Sequence, residues 1–171
     1  QTLLERYGMT EGGMFTSNPL EGERRGGTVG FPLPGTEVRV VGEDDRPLPA
    51  GEIGHIQVRG DNVFAGYWGL PEKTREEFTA DGFFRTGDMG RFDSEGYLAI
   101  IGRNKDLIIT GGLNVYPKEI EEAIDTLPGV AESAVIGLPH PDFGEAVTAV
   151  VVRRRDASGL TAEGLIAALK G

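Results

Sequence analysis

Cysteine is absent from this chain. Its absence excludes disulfides, thiolate metal sites and cysteine nucleophiles. Histidine is scarce. His55 and His140 are the only two, and neither sits at a His-x-x-x-His or similar metal spacing. Each reads as a structural or surface residue. No apolar run approaches the roughly 20 residues that span a bilayer, so no membrane span is expected. The first residues, Gln1-Thr2-Leu3-Leu4-Glu5-Arg6-Tyr7, have no basic stretch before an apolar one and are not a signal peptide. There is no initiator Met either. The chain is therefore expected to begin inside a longer, cytoplasmic polypeptide. Basic residues are outnumbered: Lys+Arg 17 against Asp+Glu 27 leaves a net charge of −10. An acidic chain does not draw in polyanions through its overall field, which argues against nucleic acid as a partner. The one basic run, Arg153-Arg154-Arg155, reads as a solvated strand end.

Turn residues are plentiful, with Gly 27 and Pro 10. They lack any collagen-like period, so they imply many turns and short strands. Apolar residues make up 39%, slightly low for a globular chain but far above the disordered range. A length of 171 residues fits one domain or two small ones.

Residues 1–30 show little apolar periodicity, and 18–27 read as a turn-rich loop that forms no core. From 36 to 102 the pattern is mainly β. Thr36 to Val41 alternates polar and apolar residues as a half-buried strand does. Residues 42–47 read as a turn, Ile53 to Arg59 as a second strand and Val63 to Trp68 as a third. Pro71 to Phe78 is a short helix with proline at a permitted first position. Gly82 to Asp88 is extended and then turns, and Gly96 to Gly102 is a strand. Strands at this spacing suggest a small barrel or sandwich. After Asp106 the pattern changes. Leu107-Ile108-Ile109 is a short buried strand, and Pro117 to Leu127 is a helix with Ile120, Ala123, Ile124 and Leu127 at helical spacing. Residues 130–137 and 146–152 are strands. Thr161 caps a last helix. The fold class is α+β: a β-rich, barrel-like part over 1–102, a boundary at 103–106, and a small, incomplete α+β domain over 107–171. There is no internal repeat.

Four motifs arrive in order: Tyr7-Gly8-Met9-Thr10-Glu11, Gly87-Asp88, Gly102-Arg103-Asn104-Lys105-Asp106 and Thr110-Gly111-Gly112. Each pairs a permissive glycine with polar or charged residues, which is what close approach to a phosphorylated nucleotide requires. The Thr10 hydroxyl can bond a phosphate oxygen, and the neighbouring Glu11 carboxylate can hold Mg²⁺ against that phosphate. Alone, the pair reads rather as a turn with exposed polar residues. Asp88 is either a turn aspartate or an acceptor for ribose hydroxyls. Arg103 reads on its own as an exposed charge at a strand end, and Gly111-Gly112 as a turn between strand and helix. Glu119, Glu121 and Glu122 read as a solvated helix face. Ser17, Ser94, Ser133 and Ser158 lack any nucleophile context.

The ordered set resembles the second half of an acyl-adenylating enzyme, the superfamily of acyl-CoA synthetases, luciferases and peptide-synthetase adenylation domains. Gly51-Glu52-Ile53-Gly54, Gly66-Tyr67-Trp68, Val135 to Pro139 and Gly144-Glu145 also match. Residues 14–19 and 111–121 look like the malonyl-CoA synthetase branch. The resemblance implies a fold with a large adenylating domain and a small C-terminal one. It implies ATP or AMP, Mg²⁺ and CoA as ligands and a carboxylic acid, malonate or a fatty acid, as substrate. Tyr7, Gly8, Asp88 and Arg103 would hold nucleotide, with Thr10 and Glu11 at the phosphate and Glu11 on Mg²⁺. Lys105 and Asp106 would form the hinge, and Gly111-Gly112 would line the pantetheine path. Gly12-Gly13 departs from the polar residues expected there, which leaves the acid open. A phosphate loop upstream and a catalytic lysine downstream are expected to lie outside 1–171, in an enzyme about three times longer, so these residues alone are expected to be inactive. A carrier-loading adenylation domain and a non-catalytic nucleotide- or protein-binding module are the rivals.

Overall fold

The computed structural model describes residues 3–157 and 159–170; Ser158 lies outside them. Contacts divide the chain between Asn104 and Lys105 into two compact units.

The first unit holds two antiparallel sheets. Strands β1 (Arg6–Met9), β2 (Gly13–Ser17) and β3 (Phe31–Pro32) form one, in that order. Strands β4 (Thr36–Val41), β5 (Gly54–Gly60), β6 (Phe84–Phe92) and β7 (Leu98–Arg103) form the other, again in chain order. One core joins them: Tyr7 and Phe15 from the first sheet meet Val40, Ile56, Val58, Phe84 and Leu98 from the second. The alternation in β4 and β5 has its expected cause, since Val40, Ile56 and Val58 face inward. Helix α1 (Pro71–Glu77) opens on proline and has no side-chain cap.

Residues 1–30, although without apolar periodicity, contribute to the core ahead of the 18–27 loop, since Phe15 and Thr16 are both 0% exposed. Their strands are short and glycine-interrupted, so no period shows. Residues 63–68 form no strand. Phe64 anchors this loop instead, its ring meeting Tyr67 and Phe84 edge-on and Phe78 at a tilt, with centroids 4.8–5.9 Å apart.

A single 3-10 turn, Asn104–Asp106, follows β7. The second unit then folds as β8 (Ile108–Thr110), β9 (Leu113–Val115), α2 (Pro117–Asp125), β10 (Val130–His140), β11 (Gly144–Arg153) and α3 (Ala162–Lys170). Its antiparallel sheet runs β10-β11-β8-β9. Ile108, Ile124, Val130 and Val135 form its core. Strand β9 escaped the sequence reading, and Ile109, read as buried, is 54% exposed. Thr161 does cap α3, its Oγ1 accepting from the Gly164 N–H at 3.1 Å. The acidic face of α2 is only partly solvated. Glu121 is half-buried, and its carboxylate accepts from the Val135 N–H at 2.9 Å.

Candidate functional site

Two motif residues of the first unit, Tyr7 and Arg103, meet at Asp88. A β-bulge presents this side chain. Gln57 pairs with Arg85 and His55 with Met89, so three residues, Thr86 to Asp88, oppose the single Ile56. Such a bulge bends its strand and re-aims side chains. Gly87 makes it possible with φ +75, a value that strains residues with a Cβ. Thr86 pins the distortion. Its Oγ1 donates to the Ile56 carbonyl at 2.8 Å and accepts from the Asp88 N–H at 3.1 Å.

Asp88 is only 8% exposed, and a buried carboxylate needs partners. It has one on each oxygen. The Tyr7 hydroxyl donates to Oδ2 at 2.6 Å. Arg103 Nε stands 3.4 Å from Oδ1, brought there because Asp88 and Arg103 pair directly across β6 and β7. Burial first, then the Asp88 hydrogen bond, pushes the Tyr7 phenol far above the usual tyrosine value. Tyr7 therefore remains a donor throughout the physiological range. Tyr7 itself sits on β1 beside a register shift at Gly8. A Cβ on Gly8 would lie 2.0 Å from the Gly13 carbonyl oxygen, so the hairpin closes only because that position is glycine.

Thr10 and Glu11 occupy the turn of the same hairpin, closed by the Gly12 N–H on the Met9 carbonyl at 3.1 Å. Thr10 is exposed and Glu11 half-exposed. The Tyr67 hydroxyl donates to Glu11 Oε1 at 3.2 Å. Burial, followed by that carboxylate, raises the Tyr67 phenol above its usual value. Tyr67 was not singled out from sequence, although its Gly-Tyr-Trp string was visible there. Among the described residues no group of three or more His, Cys, Asp or Glu side chains could hold a metal. A lone carboxylate at an open turn still suits Mg²⁺, which takes one or two protein carboxylates together with substrate phosphates.

Beside the bulge, a polar cavity of about 270 Å³ is lined by Asp45, His55, Gln57, Arg85 and Gly87 among others. Asp45, at φ 60, takes both Arg85 guanidinium nitrogens and accepts from Gln57 Nε2 at 2.6 Å. Arg85, ahead of the Gln57 bond, holds the Asp45 carboxyl below its usual range. His55 meets Glu43 at 3.0 Å.

Lys105, Gly111 and Gly112 belong to the second unit. Thr110 pairs with Leu113, and Gly111 and Gly112 have φ +56 and +82. Two positive φ values in a two-residue hairpin loop make a type I′ turn. That geometry accounts for both glycines without a ligand. The Gly111 N–H donates to the Phe143 carbonyl at 2.9 Å, and Phe143 stacks on His140.

Two family models match the chain: "AMP-binding enzyme" over residues 1–68 and "AMP-binding enzyme C-terminal domain" over 119–171. This chain belongs to the AMP-binding enzymes. Among AMP-binding relatives, a malonate–CoA ligase of Arabidopsis thaliana is 50% identical over 88% of the chain and 24% of its own length. A sulfoacetate–CoA ligase of Cupriavidus necator is 48% identical over 91% of the chain and 31% of its own. The crystal structure of ATP-bound MatB from Rhodopseudomonas palustris matches with a TM-score of 0.97 at 58% identity, over 100% of the chain and 34% of that protein. The chain thus spans about a quarter to a third of the length of the relatives it matches. Tyr7, Gly8, Thr10 and Glu11 fall inside the first family match. Asp88, Arg103, Lys105, Gly111 and Gly112 lie between the two. No helix among the described residues is long and apolar enough to cross a membrane.

Proposed function

We propose that this chain is the nucleotide-holding part of a cytoplasmic, ATP-dependent acid–CoA ligase, with malonate or a similarly small acid as substrate. The observation that carries the reading is the buried Asp88 carboxylate, held between Tyr7 and Arg103 on a bulge. A vicinal diol offers two donors, and a fixed carboxylate is the acceptor that suits it. In this reading Asp88 takes the ribose hydroxyls and Arg103 adds a donor from the solvent side. Thr10 bonds a phosphate oxygen, and Glu11, oriented by Tyr67, is placed to hold Mg²⁺. When bound, that ion would offset phosphate charge. The acid's carboxylate oxygen attacks the α-phosphorus, and the bond to pyrophosphate breaks. The CoA sulfur then attacks the acyl carbonyl, and AMP leaves. Lys105 lies at the hinge between the two parts, and Gly111-Gly112 borders the thiol path.

Identity to a malonate–CoA ligase and to MatB supports a small acid. A long-chain-fatty-acid–CoA ligase from Escherichia coli, 43% identical over 97% of the chain, marks the competing size class. The test is acid-dependent ATP–pyrophosphate exchange by the ligase containing this chain, with malonate, sulfoacetate and a long-chain fatty acid, followed by thioester assay with CoA. Malonate-dependent exchange and thioester formation are expected. Exchange with none of the acids would refute the reading.

A further inference from the structure

Tyr7 lies where it serves the carboxylate more directly than it serves the core. Its ring is packed, 9% exposed and 5.7 Å from Phe15, but its hydroxyl spends its proton on Asp88 Oδ2 at 2.6 Å. The other partner of Asp88 is a weak anchor. Arg103 is 59% exposed, and its 3.4 Å contact is of the kind that solvent screens. The backbone on both sides is held by contacts of its own. Thr86 ties down the bulge, and Gly8 leaves the hairpin no slack because its missing Cβ is filled by the Gly13 carbonyl. The remaining freedom at the site is rotation of the Asp88 carboxylate about its own side-chain bonds. A diol accepted at two points tolerates little of that rotation, since recognition geometry has to be held to within about 10–20°.

We propose that Tyr7 is a positioning residue for the ribose: its hydroxyl, rather than its ring, locks the Asp88 carboxylate in the orientation whose free lone pairs accept both ribose hydroxyls. This rests on the reading of Asp88 as the ribose acceptor. Tyr7 takes no part in the bond changes and acts only through Asp88.

The experiment is calorimetric titration of the ligase containing this chain with AMP and with 2′,3′-dideoxy-AMP, for the parent and for Tyr7→Phe. The parent is expected to prefer AMP by about 10- to 150-fold, the range set by one charged hydrogen-bonding group. Tyr7→Phe keeps the ring on Phe15 and removes the donor. It is expected to cut that preference by about tenfold while the dideoxy analogue binds as before. Retained affinity for the analogue is the control for folding. A packing role for Tyr7 would weaken both ligands together and leave the ratio untouched, and that result would overturn the inference alone. If the parent does not distinguish the two nucleotides, the ribose role of Asp88 falls and the inference falls with it.

Discussion

Asp88→Ala has two consequences that can be measured separately. The first is on stability. Asp88 is the acceptor for a buried phenol, and a buried donor left without its partner costs about 1–3 kcal/mol. Arg103 adds little to that, because at 59% exposure water replaces its partner; exposed pairs contribute about 0–1 kcal/mol. The second is on ATP. Losing a charged acceptor for the ribose is worth about 1.5–3 kcal/mol, or about 10- to 150-fold at tenfold per 1.4 kcal/mol. Asp88→Asn divides the two. Its amide oxygen can still accept from Tyr7, so most of the stability returns. Its NH₂ then faces Arg103 and the ribose, where an acceptor is needed, so ATP binding stays weak. Urea denaturation and the KM for ATP, measured on the parent ligase and both variants, give a stability difference and a KM ratio for each variant. The expected pattern is a stability loss in Ala that Asn largely restores, with a raised KM for ATP in both. Unchanged ATP kinetics in both variants would refute the reasoning and leave Asp88 as a strand residue whose bulge has no role in nucleotide binding.

Gly8→Ala places a Cβ against the Gly13 carbonyl and should cost about 1–3 kcal/mol by overpacking, with weaker AMP binding as Tyr7 shifts; denaturation midpoints at parent level would show that the hairpin has slack. Asp45→Ala strands the Gln57 amide, 1% exposed, and should destabilise by about 1–3 kcal/mol. Because the Asp45 carboxyl is held below its ordinary 3.8, its pair with Arg85 stabilises fully above that pH and fades as pH falls through the lowered folded value; the gap between parent and Asp45→Asn should therefore close in acid, and a gap independent of pH would contradict this. Lys105→Pro, in the 3-10 turn Asn104–Asp106, fixes φ and so restricts rotation there. Pyrophosphate exchange should survive while thioester formation falls steeply, and equal losses in both assays would point to misfolding instead of a hinge.

The strands legible in the sequence were those whose alternation of polar and apolar residue types is uninterrupted, whether or not the polar face is also covered, as Gln57 is. Val38-Arg39-Val40 and Ile56-Gln57-Val58 alternate, and β4 and β5 follow them. Strands β1 and β2 were not legible because Gly8, Gly12 and Gly13 break the alternation, and glycine signals turns wherever it appears. Their core membership rests on Tyr7 and Phe15 meeting residues of β4–β7, contacts that span tens of positions and leave no local period. Residues 63–68 failed in the opposite direction. Valine, phenylalanine and tryptophan in that stretch carry β-propensity, but propensity reports a fit to a pleated half-buried surface. Phe64 satisfies it by docking on other rings instead of joining a sheet.

The candidate site divides along the same line. Tyr7, Asp88 and Arg103 were each visible as residues of a type that nucleotide binding uses. Their relation was not, because it depends on pairing between strands. Nothing within Thr86-Gly87-Asp88 requires a bulge; the bulge exists because β5 offers Ile56 alone against three residues of β6. That mismatch turns the carboxylate toward Tyr7, 81 positions earlier. Gly87 was read as a turn, and its positive φ agrees, but the chain continues as strand to Phe92. Gly87 therefore marks the place where this ladder is bent to aim Asp88, and Asp88 is the residue to test first.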